Sequence, residues 1–201
     1  MVFINYLLYF AIGYLFGSLP WSLIIGKVFY KVDIREHGSG NLGGTNAVRT
    51  LGKVPGFTVI ILDVLKATIA VLIVSTIFKD STGAIFAGAG TVIGHCYPIF
   101  ANFKGGKAVA TIFGYLLALA IVDGTILLFL VPLALFAVVL LIGKMVSLGA
   151  LSGLTLASIL SVFMASNYVS ISIILMTVFS FYRHRENIKR IIKGNERKIK
   201  S

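Results

Sequence analysis

Long apolar runs alternate along this chain with short stretches crowded with glycine, amide and basic side chains. The apolar runs cover residues 2–29, 54–78, 83–93, 108–122, 125–142, 148–165 and 168–182. A helix of ~20 apolar residues crosses the hydrocarbon of a bilayer, and several of these runs reach that length. The first has no basic residue before Lys27 and is longer than the core of a signal peptide, so it reads as an uncleaved first helix. Runs 83–93 and 108–122 are shorter. The pattern predicts an all-α integral membrane protein of about seven transmembrane helices, organised as one membrane-embedded domain over residues 1–201. Six crossings result if 83–93 is re-entrant.

Composition agrees, with 58% hydrophobic and only 12% charged residues, which excludes an ordinary soluble domain. Charge then orients the chain. Of the 18 lysines and arginines, all but Lys66 and Lys79 fall within 27–53, 94–107, 143–147 and 183–201. These are alternate loops of a seven-helix topology. The positive-inside rule therefore puts them in the cytoplasm, with the N-terminus outside and the C-terminus inside. The net charge of +11 acts at the inner membrane surface, toward anionic lipids and anionic substrates and not toward nucleic acid. Lys193, Arg197, Lys198 and Lys200 in the tail need do no more than obey that rule.

The polar stretches carry the chemistry. The first contains Gly38, Ser39, Gly40, Asn41, Gly43, Gly44, Thr45, Asn46 and Arg49. Glycines let the backbone turn left-handed and approach a ligand closely, while Asn41, Thr45, Asn46 and Arg49 offer donors. The second runs from Gly94 and His95 to Lys104-Gly105-Gly106-Lys107 and leads directly into an apolar run. A glycine turn opening a helix presents free N–H groups to an anion, and the two lysines add charge. It is not a Walker loop, because position 101 is Ala and position 108 is neither Ser nor Thr. In the third, His184, Asn187 and Ile188 share one face of an extended last helix, with Lys189 and Arg190 beside them. Three phosphate-type donor sets on one side of a membrane suggest one anion site. Taken singly, each stretch also suits a plain basic cytoplasmic loop.

Asp63 and Lys66 lie three residues apart inside the second apolar run. Asp63 is about 14 Å along a helix from Val54, near mid-membrane depth. A structural ion pair or a substrate contact would account for charges there. No metal is expected, since three separated histidines with few carboxylates make a poor ligand set. The single cysteine, Cys96, excludes a disulfide framework and reads as a packed residue. No Gly-x-Ser-x-Gly elbow occurs, and no histidine has an aspartate five positions on.

Together the stretches Gly38-Ser39-Gly40-Asn41-x-Gly43-x-Thr45-Asn46-x-x-Arg49, Gly94-His95-x-x-Pro98-x-Phe100-x-x-Phe103-Lys104-Gly105-Gly106-Lys107 and His184-Arg185-x-Asn187-Ile188-x-Arg190, with Gly194 and Glu196 beyond, resemble one known family. It is the bacterial integral-membrane glycerol-3-phosphate acyltransferases that use acyl phosphate. The chain departs from that pattern at Gly44, Ala67 and Ala108, each an exchange among small residues. The resemblance implies acyl transfer from acyl phosphate to the sn-1 hydroxyl of glycerol 3-phosphate, giving lysophosphatidic acid and inorganic phosphate in phospholipid biosynthesis. It also implies no cofactor, a multi-pass protein of the bacterial inner membrane, and a separate enzyme supplying acyl phosphate.

For the residues, the expectation is that Ser39, Arg49 and Lys104 grip phosphate while His184 and Asn187 orient glycerol 3-phosphate. Gly40, Asn41, Gly43, Thr45, Asn46, Gly105, Gly106, Lys107 and Arg190 complete the phosphate site. The resemblance implies no side-chain base, with His184 as base the alternative. A transporter of phosphorylated metabolites is the competing class, and its inverted repeat is not evident in the sequence.

Overall fold

The computed structural model describes residues 2–199, and every regular element among them is helical. Lys200, assigned above to the basic tail, lies outside the described residues. Five stretches are long and apolar enough to span a bilayer: Phe3–Phe29, Lys53–Ile77, Ser81–Ala101, Ile126–Gly143 and Val146–Met164. Their positions agree with the predicted runs. The predicted spans at 108–122 and 168–182 are helices too, but of 15 and 17 residues. At 1.5 Å per residue the shorter is about 22 Å long, less than the ~30 Å hydrocarbon thickness. The chain forms two compact units, Met1–Ala118 and Leu119–Ser201.

The first unit begins with α1 (Val2–Gly17) and α2 (Trp21–Phe29), where the apolar pattern predicts one helix. Pro20 separates them. It has no N–H to continue the ladder, and its ring disfavours a helical approach to the carbonyl four residues back. Its ψ of 71° turns the chain out of the helix. A 3-10 turn, Ile34–Glu36, leads to α3 (Gly44–Leu51) and the long α4 (Lys53–Leu72), which ends in a π-type turn. Then comes α5 (Ser81–Cys96), a complete helix where a re-entrant segment was one option.

Helices α1 and α5 pack backbone to backbone. A Cβ on Gly13 or Gly17 would strike Ala87 or Thr91, and one on Gly90 or Gly94 would strike Phe10 or Tyr14. These are two interlocked glycine pairs with four-residue spacing, the close-approach device of membrane helices. Helix α6 (Val109–Asp123) packs by the same logic, since a Cβ on Gly114 would strike the Val64 carbonyl, and Thr68 donates to the Gly114 carbonyl at 2.9 Å.

The second unit holds α7 (Ile126–Gly143), α8 (Val146–Met164), α9 (Asn167–Arg183) and α10 (Arg185–Ile192). Lys144, in a left-handed turn at φ 54°, closes the α7–α8 hairpin. Hydroxyl pairs join α8 to α9: Ser158 donates to Thr177 at 2.9 Å, and Ser161 meets Ser170 at 3.1 Å. Each pair satisfies polar atoms that hydrocarbon would leave bare.

Candidate functional site

The first polar stretch is built around Asn46, only 1% exposed. Its amide nitrogen donates to the carbonyls of Ile34 (2.9 Å) and His37 (3.1 Å), and its Oδ1 accepts from the Ser39 N–H (2.8 Å). Both amide protons are therefore engaged inside the loop. The expectation that Asn46 donates to phosphate gives way to a different role, that of an internal strut. Gly38 (φ 62°) and Gly40 (φ 70°) turn left-handed around it, and a Cβ on Gly38 would collide with its Oδ1. Beyond the strut, α3 starts at Gly44 with no side-chain cap on its first N–H groups. Such an end carries partial positive charge. Thr45 and Arg49 follow one turn apart on the same face, and Arg49 and Ser39 are exposed. Below the loop, Arg35 grips both oxygens of Asp33, with Lys27 at 3.1 Å. The guanidinium holds the Asp33 carboxyl well below the usual carboxylate range.

The second stretch leaves α5 at Tyr97, whose carbonyl accepts from the Tyr14 hydroxyl at 2.9 Å. It turns sharply through Asn102 and Phe103, both left-handed. The sequence predicts Gly105-Gly106 at the opening of the next helix; α6 instead starts at Val109. The glycine turn folds back onto the end of α5, and the Gly106 N–H donates to the His95 carbonyl at 2.9 Å. The reason is steric. Ala108 sits at φ 66°, which stops the helix from extending back through the glycines. Lys104 is exposed and Lys107 half-buried on this turn.

Behind the turn lie the two intramembrane charges. Lys66 pairs with Asp63 at 2.7 Å, and both side chains are almost fully buried. The same ammonium reaches the Leu19 carbonyl at 2.9 Å and His95 Nδ1 at 3.1 Å. The Leu19 carbonyl is available because Pro20 broke the helix there.

The third stretch is a junction and not the continuous helix expected. Backbone angles at His184 (φ −92°, ψ 5°) end α9 and begin α10. His184 Nδ1 lies 2.8 Å from the Ser180 carbonyl. A carbonyl only accepts, so Nδ1 carries a ring proton. Asn187 is held by Glu196, whose Oε1 accepts from Asn187 Nδ2 (2.6 Å) and Ser147 Oγ (2.9 Å). Arg190 donates through Nε to Glu196 Oε2 at 2.7 Å. Arg190, expected to bind phosphate, is thus a partner of a buried carboxylate. Burial alone would raise the Glu196 pKa, but these three donors outweigh it and hold the group below its ordinary value.

With this geometry in place, comparison with known proteins decides the family. The profile described as Glycerol-3-phosphate acyltransferase matches residues 7–194. The chain belongs to the glycerol-3-phosphate acyltransferase family. Among relatives of that name, the Bacillus subtilis (strain 168) protein is 47% identical over 94% of this chain and 95% of its own length. The Geobacillus kaustophilus (strain HTA426) protein is 44% identical over 94% and 93%. The fold is similar to crystal structures of PlsY (YgiH), an integral membrane glycerol 3-phosphate acyltransferase. Against its glycerol 3-phosphate form the TM-score is 0.88, with 36% identity over 97% of this chain and 96% of that one. Against its lysophosphatidic acid form the score is 0.85, with 34% identity.

Family membership makes the protein an integral membrane one, consistent with its apolar helices. Three residues to which the sequence pattern alone gives no role organise these stretches. His95 backs the glycine turn, Ser147 joins the carboxylate cluster, and Glu196 holds Asn187 and Arg190. His95 and Glu196 stand within or beside the motifs that carry the family resemblance, but their types alone give no partner. Nothing in the sequence pointed to Ser147.

Proposed function

We propose that this protein transfers a fatty acyl group from acyl phosphate to the sn-1 hydroxyl of glycerol 3-phosphate at the cytoplasmic face of the bacterial inner membrane. It does so as one acyltransferase domain of seven membrane-crossing helices, α6 and α9 completing the five longer spans, with the N-terminus outside. The hydroxyl oxygen attacks the acyl carbon and forms the new ester. The bond from that carbon to the phosphate oxygen breaks, and inorganic phosphate leaves with the hydroxyl proton. Lysophosphatidic acid is the other product. Both substrates carry phosphate, which accounts for the supply of Ser39, Arg49, Lys104 and Lys107 donors. Gly40, Asn41, Gly43, Thr45 and Gly105 shape and complete that supply.

The observation that carries this reading is the match of the glycerol-3-phosphate acyltransferase profile to residues 7–194, which spans all three polar stretches. His184, with its Nδ1–H given to the Ser180 carbonyl, is oriented to position the acceptor. Acyl phosphate is an activated anhydride, so orientation and charge stabilisation supply most of the rate. The phosphate oxygens themselves take the proton, and a separate enzyme supplies the acyl phosphate. Incubating purified protein with acyl phosphate and labelled glycerol 3-phosphate tests the proposal. Labelled lysophosphatidic acid is expected, with none when acyl-CoA or acyl carrier protein replaces acyl phosphate. Comparable turnover with acyl-CoA would overturn the donor assignment.

A further inference from the structure

The buried cluster behind the glycine turn has a proton arrangement that its contacts decide. An ammonium has three N–H bonds and no lone pair. Lys66 has three acceptors around it: Asp63 Oδ1 at 2.7 Å, the Leu19 carbonyl at 2.9 Å and His95 Nδ1 at 3.1 Å. The ammonium is saturated, and His95 Nδ1 receives one of its protons. The alternative, Nδ1–H donating to Asp63, fails on distance, because that oxygen is 3.6 Å away. The imidazole proton therefore resides on Nε2, the opposite tautomer from His184.

His95 Nε2 is the atom against which the glycine turn rests. A Cβ on Gly106 would fall onto it, and the Gly106 N–H is tied to the carbonyl of the same histidine. The ring is 6% exposed, and its neighbours Asp63 and Lys66 are buried to a similar degree. The turn between Lys104 and Lys107 is thus seated on an imidazole whose orientation is set by an ion pair inside the membrane helix α4. We infer that Asp63, Lys66 and His95 form a positioning relay, in which charged Lys66 holds His95 as its Nε2–H tautomer so that the Gly105-Gly106 turn presents Lys104 and Lys107 to a substrate phosphate. The inference rests on the reading that this turn meets phosphate. Asp63 and Lys66 act only through His95, and no proton is transferred.

Two measurements test it. The first is a 15N spectrum of histidine-labelled protein, with the His95 signals identified by their loss in His95→Gln. A ring protonated on Nε2 is expected, and one protonated on Nδ1 would overturn the relay. This reading needs no activity. The second compares His95→Phe, His95→Asn and His95→Gln for kcat and for the KM of each substrate. Only Gln carries an N–H as far as Nε2. Phe and Asn should raise one KM by roughly tenfold or more, with kcat changed less, and Gln should recover most of the loss. Equal KM values across all four proteins would refute the relay. Absence of product from the wild-type protein with acyl phosphate would instead refute the functional reading, whatever the tautomer.

Discussion

His184 gives its Nδ1 proton to the Ser180 carbonyl one turn earlier in α9, at 2.8 Å. The consequence is directional. The donor side of the ring faces its own helix, and the proposed contact to the acceptor hydroxyl is through Nε2. Replacement by Gln can place an amide oxygen near Nε2, whereas Asn reproduces only the Nδ1 side. If His184 positions the acceptor hydroxyl, His184→Gln keeps activity within about tenfold and His184→Asn loses more. If it is a general base, both lose the ~10²–10⁴-fold typical of such a group and the kcat–pH profile flattens. Steady-state rates of the two variants across pH decide, and positioning is the expected result.

Glu196 ties Asn187, Arg190 and Ser147 together, and its carboxyl is held below the ordinary value of 4.5. The sign follows from linkage. A folded-state pKa below the unfolded one contributes stability fully above about 4.5, and that contribution disappears as pH falls through the lower folded value. Glu196→Gln turns one acceptor oxygen into a donor facing a donor. A loss of about 2–3 kcal/mol at neutral pH is expected. Thermal unfolding in detergent should show the gap between wild type and variant narrowing as pH drops below 4.5. A gap independent of pH would exclude a role for the carboxylate charge.

Ala108 is fully buried in a left-handed conformation, φ 66°. Backbone strain and packing both oppose a larger side chain here. A β-branched residue is disfavoured at positive φ, and its extra methyls have no room. Ala108→Val should cost about 3 kcal/mol or more by unfolding, and should impair turnover through the neighbouring lysine turn. Ala108→Gly removes ~1–2 kcal/mol of strain against ~0.8 kcal/mol for a buried methyl, so it should be tolerated. Severe loss in the glycine variant would show that the turn is not strained.

Apolar runs made the helical architecture legible because hydrophobic length is a one-dimensional property. Breaks were harder to see. Pro20 carried a readable signal for the α1–α2 interruption, yet the apolar residues on both sides masked it. The break at His184 has no such signal, as Arg183, His184 and Arg185 are ordinary helix residues. The four-residue glycine spacing of Gly13–Gly17 and Gly90–Gly94 was present in the sequence, but its partner could be known only in three dimensions. At the site, residue types were legible and hydrogen-bond directions were not. Asn46 looked like a phosphate donor, whereas folding turns its amide inward to Ile34 and His37, and Arg190 commits its Nε to Glu196. Which polar atoms remain for substrate depends on which ones the fold has already used.

Orientation in the membrane is testable without activity. Cys96 is buried and so shielded from an aqueous thiol reagent, and single cysteines can be introduced beside Ser39, Lys104 and His184. All three should react with a membrane-impermeant thiol reagent only after the cytoplasmic side is opened, given the distribution of basic residues. Labelling of any one of them in intact cells would break the proposed topology.

Arg49 and Lys104 are the exposed cations of the first two stretches, and they should differ in kind from the tail lysines. Each would meet a doubly charged phosphate where bilayer and protein reduce the dielectric, which strengthens a charge-assisted contact. Removing one by Arg49→Ala or Lys104→Ala should cost on the order of 2–4 kcal/mol of transition-state stabilisation, or roughly 30- to 1,000-fold in rate. Lys198 lies in the exposed tail, where screening reduces its influence. Lys198→Ala should therefore change the rate by less than about threefold. Measuring kcat/KM for glycerol 3-phosphate at two salt concentrations separates the two effects. Salt should blunt any contribution of the tail and leave the site losses nearly intact, because a direct contact is screened far less than a distant charge. If all three substitutions cost the same and respond alike to salt, the motif cations act only as surface charge.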